Sequence, residues 1–110
     1  MHIEELIDNL SFLEDWEERY RYIIELGRQL PSFPEDSRIE SNKVKGCMSQ
    51  VWMIPEVRDE DAQHIHFLAD SDAHIVKGLI AVLLTIYSGK TSAEILDTNI
   101  EDIFSQMGLS

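Results

Sequence analysis

The chain has one cysteine, Cys47, within the segment Lys45-Gly46-Cys47-Met48-Ser49-Gln50-Val51-Trp52. A single thiol can accept a sulfur atom and pass it on, but it cannot close a disulfide within the chain or enclose a metal ion alone. Gly46 permits a tight turn before it, because glycine adopts backbone angles that other residues resist. Lys43 and Lys45 are close in sequence, and nearby cations favour the nucleophilic thiolate. These residue types indicate sulfur chemistry at Cys47.

Apolar residues flank this cysteine on both sides. A thiolate that attacks a sulfane sulfur needs an approach path, and its adduct then needs protection from water and from other thiols. Four apolar neighbours are suited to that protection: Val44, Met48, Val51 and Trp52.

Other functions remain open for the same residues. A cysteine hydrolase would need a base and an orienting group, and the spacing of the candidates singles out none of them. These candidates are three histidines and two aspartates: His64, His66, His74, Asp70 and Asp72. A zinc site would combine Cys47 with His64 and His66, since alternate residues of a strand point to one side. The simpler interpretation places both imidazoles on the solvent face of an edge strand.

The composition narrows the partners and the compartment. The net charge is -12, from 9 basic and 21 acidic residues, and a field of that sign repels nucleic acid. No apolar run approaches the roughly 20 residues that cross a bilayer. The N-terminus lacks a signal pattern, and a lone cysteine fits a reducing, cytoplasmic compartment. An acidic surface that docks a basic partner would make the protein a non-catalytic adaptor, which is a third interpretation.

The bases are unevenly distributed along the chain. Residues 37–54 contain Arg38, Lys43 and Lys45 against one acid, Glu40. Cys47 therefore lies in a basic island of an acidic chain.

The first third of the sequence predicts two helices. From Ile3 to Leu10 apolar residues recur every three to four positions, which is typical of a short amphipathic helix. Asp15 is placed to cap the second helix, with Glu18 as its capping-box partner. Trp16 and Tyr20 share one face of that helix and are predicted to be core residues; the same face continues through Ile23, Gly27 and Leu30. Gly27 would let another element approach closely.

The middle of the chain predicts three antiparallel strands. Residues 38–45 give a weak strand, 51–54 a clear apolar strand that Pro55 stops, and 64–69 an alternating strand. A turn over residues 46–49 joins the first two, so Cys47 would lie at the tip of a hairpin.

The last third predicts three helices. Asp70, Ser71 and Asp72 are interpreted as helix caps, and an apolar stripe follows them at Ile75, Leu79, Val82, Leu83 and Ile86, with Ile80 and Leu84 beside it. Segments 91–94 and 98–101 both match the capping box, which predicts two short helices. The fold class is therefore α+β, a three-stranded antiparallel sheet packed with helices in a single domain over residues 1–110.

Several segments together resemble the SufE family. They are Asp15-Trp16-Glu17-Glu18-Arg19-Tyr20, Leu26-Gly27, the segment 44–52 around Cys47, Ala69-Asp70-Ser71-Asp72-Ala73, Ile75-Val76-Lys77-Gly78-Leu79 and Tyr87-Ser88-Gly89-Lys90-Thr91. The resemblance runs in order from about residue 10 to Leu109. It implies a SufE/IscU-like fold and places the persulfide acceptor at Cys47.

The resemblance also implies a role and its partners. SufE or CsdE proteins take a persulfide from a SufS- or CsdA-type cysteine desulfurase and stimulate that enzyme. They deliver the sulfur to a SufBCD-type scaffold complex for iron–sulfur cluster assembly. Pyridoxal phosphate is then expected on the desulfurase, and neither a cofactor nor a metal is expected on this chain. SufE proteins usually continue into a further C-terminal helix, which is expected to be absent here.

Overall fold

A computed structural model describes residues 2–46, 49–56 and 63–108 of the chain. The predicted α+β class is confirmed, with helices packed on an antiparallel sheet. In the described ranges the helices and strands are α1 (Ile3–Phe12), α2 (Trp16–Arg28), β1 (Val51–Glu56), β2 (His66–Ser71), α3 (His74–Tyr87), α4 (Ser92–Leu96) and α5 (Ile100–Met107). None of the helices in these ranges has the length and apolar character that crossing a membrane requires.

Helix α3 lies between two apolar clusters. One side packs with α1, α2 and α5 around seven buried side chains: Leu6, Leu10, Ile23, Leu26, Val82, Ile86 and Met107. The other side packs on the sheet, where Ile80 contacts a cluster with Val51 and Ala69. A helix apolar on most of its surface is typical of such a central position. Leu79 and Leu83, which the stripe predicts to be buried, are instead partly exposed.

Two glycines allow α2 and α3 to cross closely. A Cβ atom on Gly27 would lie 2.6 Å from the backbone nitrogen of Gly78, and a Cβ on Gly78 would overlap the carbonyl oxygen of Ile23. The prediction that Gly27 permits a close approach is therefore confirmed. This crossing fixes the start of α3, and with it the β2–α3 turn.

The prediction of three strands is wrong for the described residues, in which the sheet has two. Residues 38–45 form a 3₁₀ turn (Glu40–Asn42) and a single bridge from Lys43 to Trp52. Asn42 donates a side-chain hydrogen bond to the carbonyl of Ser37 at 2.9 Å. Asparagine side chains favour such turns, and the segment lacks the apolar alternation that would hold a full strand.

The two strands pair antiparallel from Val51 with Ser71 to Glu56 with His66. The prediction that Pro55 stops the strand is wrong, since β1 continues through it to Glu56. Proline lacks an amide donor but is tolerated where one side of a strand has no neighbour. Strand β2 begins two residues later than predicted, and Ile65 forms a separate bridge with Lys90.

The helix starts agree with the sequence only in part. Asp15 caps α2, but its carboxylate accepts from the amide of Glu17 rather than forming the predicted box with Glu18. Thr91 forms the predicted capping box of α4. Helix α5 is capped by Asn99, one residue beyond the predicted Thr98.

Candidate functional site

Cys47 lies outside the described residues, so its role stays a prediction, and the site is built from its flanks. On the N-terminal flank the amide of Val44 donates to the carbonyl of Val51 at 2.9 Å. Gly46 has a φ of 89°, in the left-handed region that favours glycine. Gly46 therefore has the turn-like backbone that the sequence predicts, while the rest of the predicted turn over residues 46–49 includes positions 47 and 48, which lie outside the described residues. The chain enters the cysteine segment from a fixed stem.

The C-terminal flank is fixed at Gln50. Its amide donates to the Asp72 carboxylate at 3.1 Å, and its carbonyl accepts from the Ser71 hydroxyl at 2.7 Å. The amide of Asp72 donates to the same carbonyl at 3.3 Å. Three hydrogen bonds therefore tie the end of the cysteine loop, defined as residues 45–50, to the β2–α3 turn.

The predicted caps of α3 are wrong for this reason. The N-cap of α3 is Ala73, and no side chain caps the helix there. Asp72 and Ser71 instead hold Gln50, while the Ser71 hydroxyl also accepts from the amide of Ala73 at 3.2 Å. A polar run before a helix predicts caps locally, but here it bonds to a segment more than twenty residues away.

Asp70 stabilises the β2–α3 turn through its carboxylate. Its carboxylate accepts from the amide of Ser71 at 2.8 Å and forms ion pairs with Arg38 at 2.5 Å and Lys77 at 3.4 Å. Burial raises the pKa of Asp70, but the Ser71 amide and the two cations outweigh it and hold that pKa below its ordinary value. The hydrogen bond from Arg38 to Asp70 in turn raises the pKa of the guanidinium.

The Arg38 guanidinium contacts two aromatic rings. Its central carbon lies 5.6 Å from the centroid of Phe33 and 5.3 Å from that of Trp52. Both rings are buried, and cation–π contacts strengthen when they are shielded from water. The indole nitrogen of Trp52 is buried and has no hydrogen-bond partner among the described residues.

Ion pairs neutralise most of the positive charge of the basic island that the sequence predicts. Arg38 is neutralised by Asp70 and Glu35, and Lys43 pairs with Glu40 at 3.2 Å. Lys45 is exposed and has no ion pair within the described part of the chain. The charge available to the cysteine loop from this island therefore comes mainly from Lys45.

An apolar groove opens beside the stems of the cysteine loop. It has a volume of about 260 Å³, and every residue that lines it is apolar: Val44, Val51, Met53, Ala69, Val76, Leu79, Ile80, Leu83 and Leu84. Val44 and Val51 belong to the groove and also form the hydrogen-bonded stem. The groove can exclude water from a group that the loop places in it.

The histidines among the other candidate residues belong to different parts of the fold. His64 precedes β2, His66 begins it, and His74 begins α3. Across the described ranges no three metal-binding side chains converge; Cys47 lies outside them, so the predicted zinc alternative is not tested. Trp16 and Tyr20 are exposed, so the prediction that they are core residues is wrong.

Comparison with known proteins decides the family. The model of the family described as "SufE: Fe-S metabolism associated domain" matches residues 4–110. The chain belongs to the SufE family. It is 48% identical over 108 residues to an uncharacterized SufE-like protein of Rhizobium meliloti, covering 97% of this chain and 77% of that protein. A SufE-like protein of Rhizobium etli is equally similar, at 48% over 97% of this chain and 73% of its own length.

Membership of the SufE family associates the chain with iron–sulfur metabolism. The structure adds Gln50 and Lys77 to the site and gives Ser71, Asp70 and Asp72 roles that the sequence pattern does not predict. Gln50, Ser71 and Asp72 connect the cysteine loop to α3, and Asp70 with Lys77 supports them. The polar residues 70–72 were the available signal in the sequence. The local pattern does not show that they bond to Gln50.

Proposed function

We propose that this SufE protein accepts persulfide sulfur on Cys47 from a cysteine desulfurase and passes it on for iron–sulfur cluster assembly. The Cys47 thiolate attacks the terminal sulfur of the desulfurase persulfide. A bond forms between that sulfur and the Cys47 Sγ, the donor's S–S bond breaks, and the desulfurase cysteine leaves as a thiolate. Two anions react and two anions result, so no external oxidant or reductant is needed.

The observation that carries the proposal is the double anchoring of the loop that holds the only cysteine. Val44 and Val51 close its base, and Gln50 is bonded to both Ser71 and Asp72. Only residues 45–49 remain between these anchors. A loop fixed at both ends limits where its thiol can go, which lowers the entropic cost of aligning it with a donor sulfur.

The charge of Lys45 supports the nucleophile. It is the base of the island that no described carboxylate neutralises, and it is two residues from Cys47. A nearby ammonium stabilises a thiolate relative to a thiol. Lys45 acts here as a fixed charge and exchanges no proton with the donor.

The apolar groove supports retention of the sulfur. A persulfide exposed to water and free thiols is lost by exchange. The groove is lined by apolar side chains and shares Val44 and Val51 with the loop stem.

The family resemblance supplies the partners. The donor is a SufS- or CsdA-type enzyme that carries pyridoxal phosphate and generates the persulfide from cysteine. A SufBCD-type scaffold receives the sulfur. This chain also stimulates the desulfurase. When sulfur leaves the catalytic cysteine of the desulfurase, that cysteine is free for another turnover.

The test measures sulfur on the protein and desulfurase turnover in the same reaction. Wild-type protein and Cys47→Ser are incubated with a SufS-type desulfurase and ³⁵S-labelled cysteine. We expect label on the wild type, reversed by reductant, and none on Cys47→Ser. Alanine production should rise with the wild type and not with the variant. Ser49→Ala is the matched control, since it alters a neighbouring side chain and leaves the thiol.

The outcomes separate the proposal from its alternatives. Equal labelling of wild type and Cys47→Ser would exclude Cys47 as the acceptor. Full stimulation by Cys47→Ser would support a non-catalytic adaptor instead. Stoichiometric zinc in the purified wild type that is lost in His66→Ala would support the zinc site.

A further inference from the structure

The apolar groove beside the cysteine loop has a buried floor and an exposed rim. Val51, Ala69 and Ile80 form the floor, and all three are buried. The rim consists of four lining side chains that are between 37% and 44% exposed: Val44, Met53, Leu79 and Leu83. Small solutes therefore reach the rim directly from the solvent.

Met53 is the one rim residue that oxidants attack. Among the nine described residues that line the groove, the other eight carry only hydrocarbon side chains of valine, alanine, leucine or isoleucine. A thioether, in contrast, is oxidised to a sulfoxide by peroxides. Met53 lies on β1 two residues after Val51, so both side chains are on the same face of the strand.

The other methionine in the described ranges is placed quite differently. Met107 is fully buried in the core cluster that contains Leu6 and Leu10, whereas Met53 is 44% exposed. Since an oxidant must reach the sulfur atom, the fold exposes one of these two thioethers and shelters the other. Selective oxidation of Met53 is the expected result.

Oxidation of Met53 would place a polar oxygen in the wall of the groove. A sulfoxide oxygen accepts hydrogen bonds, and none of the described side chains that line the groove carries a donor. Burying a polar group without a partner is unfavourable, so the sulfoxide would draw water into the groove or turn out of it. In either case the groove would lose part of its apolar wall.

We propose that Met53 is an oxidation site through which peroxide controls the polarity of the groove. With hydrogen peroxide as the oxidant, a lone pair of the Met53 sulfur attacks one peroxide oxygen. An S–O bond forms, the O–O bond breaks, and the proton of the attacked oxygen passes to the leaving hydroxide, which departs as water. The thioether loses two electrons and the peroxide gains them. A methionine sulfoxide reductase reverses the change.

This oxidation would shorten the lifetime of sulfur on the protein. That consequence rests on the proposed function, in which the groove shelters a persulfide from water and free thiols. The groove shares Val44 and Val51 with the stem of the cysteine loop, so a change in its wall acts beside the sulfur carrier. Sulfur would be retained while Met53 is reduced and released to thiols faster once it is oxidised.

The site of oxidation is tested without the thiol, in Cys47→Ser. This protein is treated with hydrogen peroxide and digested, and mass spectrometry follows the methionine peptides. Met53 should gain one oxygen atom at least tenfold faster than Met107, and a sulfoxide reductase should remove it. In ¹H–¹³C spectra the methyl signals of Leu79 should shift in proportion to oxidation, while those of the buried Leu10 should not.

The effect on sulfur retention is tested with variants of Met53. Wild type and Met53→Leu are treated with limited peroxide, reduced with dithiothreitol to restore the Cys47 thiol, loaded with ³⁵S by a desulfurase and challenged with glutathione. Peroxide treatment should speed the loss of label from the wild type at least threefold. It should not change the rate of Met53→Leu, which is compared only with its own untreated sample. Met53→Gln, which introduces a polar side chain of similar length, should lose label faster than untreated wild type.

Three results would overturn the proposal. The first is oxidation of Met53 no faster than that of Met107. The second is a peroxide-induced shift of the Leu79 methyl signals that persists when Met53→Leu is added to Cys47→Ser. The third is an equal acceleration of label loss in Met53→Leu, which would place the effect elsewhere, as at Met48 outside the described residues. A wild type that takes up no label before peroxide would instead contradict the proposed sulfur transfer, and the mass and methyl measurements would still decide whether Met53 controls the groove.

Discussion

At the scale of single residues, Asp70 supports the site while remaining remote from its chemistry. It fixes the amide of Ser71 and pairs with Arg38 and Lys77. Local pattern predicts a helix cap at this position, because a carboxylate before a helical stripe usually is one. Its actual role depends on Arg38, which lies over thirty residues earlier and contacts two aromatic rings. Periodicity in the sequence does not predict a contact over that distance.

The lowered pKa of Asp70 gives a pH prediction. A group whose folded-state pKa lies below its unfolded value adds stability above the unfolded pKa and loses it as pH falls through the folded pKa. Asp70→Asn should therefore lower the free energy of unfolding at pH 7 by about 2 kcal/mol. The difference from wild type should shrink below about pH 4, near the ordinary aspartate pKa.

Urea unfolding of both proteins from pH 7 to pH 2.5 measures this difference. Asp36→Asn is the control, since Asp36 is exposed and should change stability little at either end. A difference that stayed constant with pH, or was absent at pH 7, would show that the Asp70 charge does not stabilise the fold.

At the scale of elements, the helices were more predictable than the sheet. Apolar periodicity identified α1, α2 and α3, since a helix shows its buried face within two turns of local sequence. The strand prediction for residues 38–45 is wrong because a single bridge to Trp52, and not a ladder of pairs, joins them to β1. The exposure of Trp16 also escaped prediction, because periodicity shows which face is apolar and not how far a neighbour covers it.

The β2–α3 turn should control the mobility of the cysteine loop. Asp72→Ala removes the carboxylate that accepts from the Gln50 amide. Losing a net hydrogen bond of about 1 kcal/mol should speed hydrogen exchange at Gln50 roughly fivefold. The amide of Val44, which donates to Val51, is the internal control and should exchange at its wild-type rate. Unchanged exchange at Gln50 would show that the carboxylate does not hold the loop.

The crossing of α2 and α3 should tolerate no side chain. In Gly27→Ala the new Cβ would meet backbone atoms of Lys77 and Gly78, which cannot move without shifting the helix. We expect a loss of about 1–3 kcal/mol in the free energy of unfolding, despite the higher helix propensity of alanine. Glu25→Ala, on the exposed face of the same helix, should cost under about 0.5 kcal/mol. A stabilised Gly27→Ala would contradict this packing.

At the scale of the whole molecule, the anchors of the cysteine loop and the apolar groove lie side by side. Val44 and Val51 belong to both, and Gln50 is held by Ser71 and Asp72 before the start of α3. The sequence predicts the chemistry at Cys47, and that stays a prediction. The contacts of Gln50 with Ser71 and Asp72 required the structure, because they join segments more than 20 residues apart.

The mass of the protein after reaction with a desulfurase and cysteine tests the central claim most directly. The wild type should gain one or more sulfur atoms, reductant should remove them, and fragmentation should place them on Cys47. Cys47→Ser should gain none under the same conditions. A wild type of unchanged mass beside an active desulfurase, or sulfur located away from Cys47, would contradict the account.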